Sequence, residues 1–175
     1  MHLCTLIASI AVAVTAALAT PAEAQESTTT RHKYEACAQE PSPEPGVIEA
    51  RRCPGKAGIA VRWTSEPDSS SVSFGDKPLD EDFNLAPAYE VGTAIEWRSP
   101  RKGGAPSAAI VRYRIGSGVA SLNRSVLVVY RLQPSGGSCV MAVIGEPGAN
   151  ATARRLVDQS AGTFVCGKSA RISDR

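Results

Sequence analysis

Histidine and aromatic residues are scarce in this chain of 175 residues, and their scarcity excludes several chemistries. The histidines are His2 and His32, and Phe, Trp and Tyr together make up 5% of the residues. Histidine is the commonest acid–base catalyst and a frequent metal ligand. One histidine lies at the N-terminus and the other in a polar stretch. We therefore expect no Ser-His-Asp triad, no metal site and no cofactor.

Long runs of one charge are also missing, and so is a second apolar run of membrane length. Lys and Arg number 19 against 17 Asp and Glu, which gives a formal net charge of +2. This balance is far from the excess that nucleic-acid-binding proteins carry, and no basic block is long enough to follow a polyanion. We predict no nucleic-acid partner and no transmembrane segment in the mature chain.

The N-terminal segment has the composition of an export signal. Residues 3–19 are apolar, Pro21 follows, and residues 22–24 read AEA, the small residues that a signal peptidase recognises. This pattern predicts a Sec-type signal peptide over residues 1–24, cleaved after Ala24, and a periplasmic or secreted protein. An uncleaved anchor is the alternative, because the initial MHLC carries no Lys or Arg.

The cysteines that follow the predicted signal are Cys37, Cys53, Cys139 and Cys166. An even number in an exported chain predicts two disulfides, which could be connected in three ways. We favour Cys37–Cys53 and Cys139–Cys166 because each bridge joins neighbours along the chain. Each would contribute roughly 3 kcal/mol by restricting the unfolded chain. A zinc site is disfavoured because no CxxC spacing occurs.

Hydrophobic periodicity predicts an α+β domain. Alternating residues predict strands near 59–63, 72–74, 94–98 and 108–115, and runs that are apolar on both faces predict central strands at 125–132 and 139–144. After Asn150, which suits the N-cap position, apolar residues recur at helical spacing as far as Gly162. We expect an antiparallel sheet of about six strands, one C-terminal amphipathic helix and two disulfides.

These elements define the predicted organisation of the chain. Residues 1–24 form the signal, 25–52 a mostly irregular segment tied by a disulfide, 53–167 a single α+β domain, and 168–175 a C-terminal tail. The irregular segment is expected because QESTTTRHK at 25–33 is polar, and because three prolines and a glycine follow within residues 41–46.

Several short signatures stand in order along the chain. They are CPG before an apolar strand, SVSFG, IEWR, PSAAIVRYR, SCVMAVI, NATARRLVD and FVCG. Together they resemble a group of small exported bacterial proteins of unassigned function, over about residues 53–167. The resemblance implies export, disulfides and a single domain. It brings no activity and no catalytic residue.

The stretch from Ala94 to Ile115 carries the densest set of charged and aromatic side chains. Strand alternation places Trp97 and Tyr113 toward the core, with Trp97 near Val111 and Tyr113. It places Glu96 on the outer face, beside Arg112 or Arg114, as a cross-strand ion pair. Two interpretations stay open, a solvated ladder of ion pairs and a positive patch for an anion. The candidate binding residues are Arg98, Arg101, Lys102, Arg112 and Arg114.

Acidic residues offer two further candidates. Asp80, Asp82 and Asn84 are spaced like the first ligands of a calcium loop, but Leu85 stands where glycine is required and Val91 where the closing Glu belongs. A solvated acidic loop is therefore the simpler interpretation. Paired carboxylates could also support glycosidase chemistry. The candidates for that role are Asp76, Asp82, Glu90 and Glu96.

The sequence thus favours a non-enzymatic exported protein, a binding or interaction module whose basic strand face meets an anionic partner. The partner could be an envelope protein, an anionic glycan or a lipid headgroup. A small carboxylate-based hydrolase and a structural or assembly component of the cell envelope are the alternatives.

Overall fold

A computed structural model describes residues 25–79, 81 and 83–174 of the chain. The predicted signal peptide, Asp80, Asp82 and the last residue of the predicted tail lie outside these described residues. Within them, no helix is long and apolar enough to cross a bilayer.

Two β-sheets and one helix form three layers. The larger sheet has the strand order β1-β6-β7-β8-β9-β10, and the smaller has the order β2-β3-β4-β5. All pairs are antiparallel except β9–β10. The elements are β1 Glu26–Arg31, β2 Ala38–Gln39, β3 Glu49–Pro54, β4 Ala60–Ser65, β5 Ser70–Phe74, β6 Ala88–Ser99, β7 Ala108–Gly116, β8 Arg124–Leu132, β9 Ser138–Gly145, α1 Ala149–Ser160 and β10 Ile172–Asp174.

The α+β class and the single helix are therefore confirmed for the described part of the chain, whereas the single antiparallel sheet of about six strands is corrected. Ten strands divide between two sheets, and the larger sheet is mixed because β10 runs parallel to β9. The second sheet escaped prediction because its strands β2 and β3 lie in the proline-rich N-terminal region, where alternation is weak.

The main core lies between the two sheets. Phe74, Trp97, Tyr113 and Tyr130 are each 0% exposed there. The ring of Phe74 meets those of Trp97 and Tyr130 edge-on, at centroid distances of 5.3 and 5.0 Å. Burial of each such side chain stabilises the fold by about 1.5–3 kcal/mol, so this aromatic layer fixes how the sheets stack.

A second core lies between the larger sheet and α1. Ala153 and Val157 of the helix pack with Ile110, Leu127 and Met141 of the sheet. The helix begins at Ala149 with Gly148 as its N-cap, so the prediction that Asn150 caps the helix is wrong. Gly148 turns the chain into the helix through a left-handed backbone conformation, φ 81°, two residues earlier than expected.

The N-terminal segment, residues 25–52, contains more regular structure than predicted. Strand β1 pairs with β6 from Glu26↔Ser99 to Arg31↔Ala94. Its sequence ESTTTR holds no hydrophobic residue, so hydrophobic alternation gives no signal for it. Backbone pairing along the edge of β6 provides the order instead.

Both predicted disulfides are confirmed. Cys37–Cys53 ties the N-terminal segment to β3, with the Cα atoms 5.0 Å apart. Cys139–Cys166 ties the chain after α1 to the second residue of β9, with the Cα atoms 5.7 Å apart. The bridges therefore fasten the two ends of the domain to its sheets.

Candidate functional site

Strands β6 and β7 carry most of the candidate residues predicted from the sequence. Trp97 and Tyr113 lie in the core, as predicted. The expected register is wrong, because Trp97 faces Ala109 and Tyr113 faces Val91. The pairing shifts between Val91 and Ile95, an irregularity that sequence alternation does not reveal.

The part of this face around Glu96 and Arg98 is covered by α1, whereas the side chains of Arg112 and Arg114 are 38% and 60% exposed, as expected for a solvated face. Glu96 pairs with Arg154 of the helix and not with Arg112 or Arg114, through bonds of 2.8 Å from Nε and 2.9 Å from Nη2. Burial acts to raise the pKa of Glu96. The hydrogen bonds from Arg154 and Ser27, and the nearby guanidinium charges, outweigh it and hold the pKa below its ordinary value.

Arg98 lies deeper than any other candidate. It is 7% exposed, and its guanidinium donates to the carboxylate of Asp158 on α1 and to Gln25 Oε1 at 3.2 Å. Its Nε has no hydrogen-bond partner among the residues that the structure describes. Arg98 therefore joins β6, the helix and the residue before β1. Because its side chain is buried among these segments, a large partner cannot reach it.

Arg112 and Arg114 are also paired. Arg112 Nη1 donates to Glu146 Oε1 at 2.7 Å, and Arg114 donates to the carboxylate of Glu90, its cross-strand neighbour. We call the set Glu96, Arg98, Arg112 and Arg114 the charge seam. Each of its arginines has a carboxylate partner, so the seam is an ion-paired layer at the edge of the helix.

Arg101 and Lys102 behave differently. They are exposed in the loop that joins β6 to β7, and neither forms an ion pair with a carboxylate of the described residues. The amide of Gly103 donates to Glu26 Oε2 at 2.7 Å, which holds the loop against β1. The candidates from the sequence thus separate into three paired arginines and two unpaired loop cations.

A cleft of about 430 Å³ opens beside this loop. Its walls are the segments 57–60, 74–76, 105–107, 131–134 and 136–137, all at the same end of the two sheets. The lining is mainly apolar, and Arg131 and Asp76 are its charged members. Asp76 is paired with Arg52 at 2.6 Å.

Two glycines allow the walls of the cleft to approach so closely. Gly75 has φ +89°, and a Cβ there would lie 2.2 Å from the carbonyl oxygen of Gly136. A Cβ on Gly55 would lie 2.3 Å from the carbonyl oxygen of Ile59 and 3.0 Å from the ring of Trp97. The CPG and SVSFG signatures therefore have a physical role here, since their glycines shape this end of the molecule.

Arg131 is half-buried at the cleft and lacks an acidic partner. Its Nη1 donates to the carbonyl oxygen of Ser107 at 2.8 Å, and it forms no ion pair within the described part of the chain. Burial lowers its pKa. Its position inside the apolar run SVLVVYRL gave no sign that its charge would border a cleft. We call Arg101, Lys102, Arg131 and Lys56, which adjoins the wall at 57–60, the cationic end.

The acidic candidates that the structure describes do not form a catalytic pair. Asp76, Glu90 and Glu96 each pair with a different arginine. Asp80 and Asp82 lie outside the described residues, and Leu85, at the position where a calcium loop needs glycine, is buried in the core. In the described ranges, no group of three or more His, Cys, Asp or Glu is placed to hold a metal ion.

His32 was assigned from the sequence to a polar stretch, but it is only 8% exposed. Its Nε2 lies 2.8 Å from Thr30 Oγ1, which also accepts a 2.8 Å hydrogen bond from Trp97 Nε1. The ring stacks on Tyr34 at a centroid distance of 5.8 Å, and burial lowers its pKa. His32 therefore belongs to the packing of β1 against β6.

Comparisons with models of protein families, with curated proteins and with solved structures found no match for this chain.

Proposed function

We propose that this chain is a non-enzymatic, exported binding module whose cationic end takes an anionic partner of the cell envelope. The observation that carries the proposal is the separation of the cations. The seam arginines are matched by carboxylates, whereas Arg131, the cation that lines the cleft, forms no ion pair in the described part of the chain. Lys56, Arg101 and Lys102 lie on the segments that lead into its walls and likewise form no ion pair among the described residues.

Export is supported by the apolar N-terminal run and by the two disulfides, which persist in oxidising compartments. The anionic partner is supported by Arg101 and Lys102, because exposed cations that form no ion pair within the described residues attract anions at long range. This assignment replaces the basic strand face, whose arginines are engaged within the fold.

The test compares two double variants of equal charge. Arg101→Ser with Lys102→Ser removes the loop cations. Arg124→Ser with Arg155→Ser removes two exposed cations at the far end of β8 and on α1. Binding of the mature chain to dextran sulfate and to phosphatidylglycerol vesicles, which represent an anionic glycan and a lipid headgroup, is measured by fluorescence anisotropy and by sedimentation.

We expect the loop variant to lose about tenfold in affinity for at least one of the two probes, and the control variant to lose less than about twofold. Added salt should reduce binding of the unmodified chain, since the contacts are solvent-exposed. Equal losses in the two variants would show that net charge alone drives binding and would overturn the proposal, as would no binding to either probe.

A further inference from the structure

We propose that the cleft at the cationic end binds a small monocarboxylate with an apolar chain, held by Arg131. This inference rests on the proposed function, because it assigns a ligand class to the same end of the molecule. It goes further by separating a small-molecule site at Arg131 from the exposed loop cations.

The size and lining of the cleft favour a small amphiphilic ligand. Its volume of about 430 Å³ falls within the range of small-molecule sites, roughly 300–1,000 Å³. Phe74, Pro106 and Leu132 are buried wall residues, and Ile59 is partly exposed beside them. These side chains form no hydrogen bonds with a ligand, so they would favour a hydrocarbon chain.

The charge at the cleft favours one carboxylate group. Arg131 donates one hydrogen bond, from Nη1, to the carbonyl oxygen of Ser107. Its other N–H groups have no acceptor in the described part of the chain. A guanidinium presents a planar fork that matches a carboxylate through two parallel hydrogen bonds. The other charged wall residue, Asp76, forms an ion pair with Arg52 and none with Arg131 in the described part of the chain.

The backbone of the cleft wall gives a third observation. Ala57 adopts φ 53° and ψ 37°, a left-handed conformation that costs an alanine energy. Such strain persists where the surrounding structure imposes it and is often found at ligand sites. Here the CPGKAG turn imposes it, since Cys53 is bonded to Cys37 and Gly55 packs on Trp97. The wall is therefore preformed before any ligand enters.

A second recess is larger, about 610 Å³, but its arginine is already paired with Glu81, and its other cation, Lys77, is an exposed ammonium without the planar fork of a guanidinium. It lies between the β8–β9 turn and the C-terminal region. Glu81 accepts hydrogen bonds there from the amide of Val140 at 2.6 Å and from Arg171. The cleft at Arg131 is thus the better candidate for an anionic ligand.

The test uses sodium octanoate below the concentration at which it self-associates, with 1-octanol and acetate as probes that carry only the chain or only the charge. Isothermal titration calorimetry is performed on the unmodified chain, on Arg131→Gln and on the control Arg124→Gln. We expect octanoate to bind at least about tenfold more tightly than either partial probe, because it uses both the walls and the guanidinium. Arg131→Gln should weaken octanoate binding about tenfold or more and leave octanol binding unchanged, whereas Arg124→Gln should change neither.

A second variant keeps the test decisive if Arg131→Gln does not fold, which a thermal melt will show. Ala105→Phe places a large ring at an exposed wall position without changing any charge, and it should abolish octanoate binding. Octanoate affinity that is unaffected by Ala105→Phe, equal effects of the two arginine variants, or octanoate binding no tighter than acetate would each overturn the inference.

The loop variant distinguishes failure of this inference from failure of the proposed function. If octanoate does not bind but dextran sulfate or vesicle binding still depends on Arg101 and Lys102, the cleft assignment fails and the proposed function stands. If octanoate binds through Arg131 while the loop variant keeps all polyanion binding, the loop contact fails and the cleft assignment stands.

Discussion

Removal of the Asp158 carboxylate tests whether the charge seam is structural. Arg98 is 7% exposed in the unmodified chain, and in Asp158→Ala its guanidinium keeps, among the side chains of the described residues, only the hydrogen bond to Gln25. Loss of a hydrogen bond to a charged group costs about 1.5–3 kcal/mol, and the higher helix propensity of alanine returns about 0.5 kcal/mol. The net loss of stability is therefore about 1–2.5 kcal/mol, or about 2–10 °C in the melting temperature of a domain of this size.

The structure also predicts an asymmetry between the two partners. The Asp158 side chain is 37% exposed, so Arg98→Met leaves a carboxylate that water can reach and removes the unpaired Nε as well. Arg98→Met should therefore cost less than Asp158→Ala, and the double variant should be more stable than Asp158→Ala alone.

Urea unfolding followed by circular dichroism measures all three variants, with Gln159→Ala as the control for helix propensity at the next position of α1. If the losses in free energy of unfolding of the two single variants add up in the double variant, the unpaired guanidinium of Arg98 is not the cause of the cost. An Asp158→Ala variant as stable as the unmodified chain would refute the argument too. Binding to dextran sulfate and to vesicles should be unchanged in each variant, because the Arg98 side chain is buried against α1 and no seam residue lines the cleft.

Three further predictions concern stability. Burial lowers the pKa of His32 below 6.5, so the folded chain takes up fewer protons than the unfolded chain and stability should fall as the pH drops through about 6.5; His32→Gln should flatten this slope in urea unfolding at each pH. Replacing Cys139 and Cys166 by serine should cost about 3.5 kcal/mol, since the bridge spans 27 residues, as measured by thermal melts of both forms. Gly75→Ala should cost at least about 2 kcal/mol through its left-handed backbone and close contact, whereas Gly162→Ala, with open space around it, should change stability by less than about 0.5 kcal/mol in the same urea titration.

The features predicted correctly from the sequence are those that local pattern determines. Alternation along β6 and β7 assigned Trp97 and Tyr113 to the core, and the helical period assigned Ala153 and Val157 to the buried face of α1. The order of the cysteines along the chain gave the correct disulfide connectivity.

The features that were missed depend on contacts between distant segments. Alternation shows that Glu96 and Arg98 share a face, but not that Arg154 and Asp158 lie above them, 58 and 60 residues along the chain. The cleft is equally inaccessible from the sequence, because its walls come from separate loops that only the stacking of two sheets brings together.

The central claim is that an anion binds at the cationic end and not along the charge seam. Its most direct test is an amide chemical-shift map of the ¹⁵N-labelled chain during titration with sodium octanoate and with dextran sulfate. The account predicts shifts concentrated at residues 101–107 and 131–137, with little change at Glu96 and at residues 112–114. Shifts centred on the charge seam, with none at the cationic end, would contradict it.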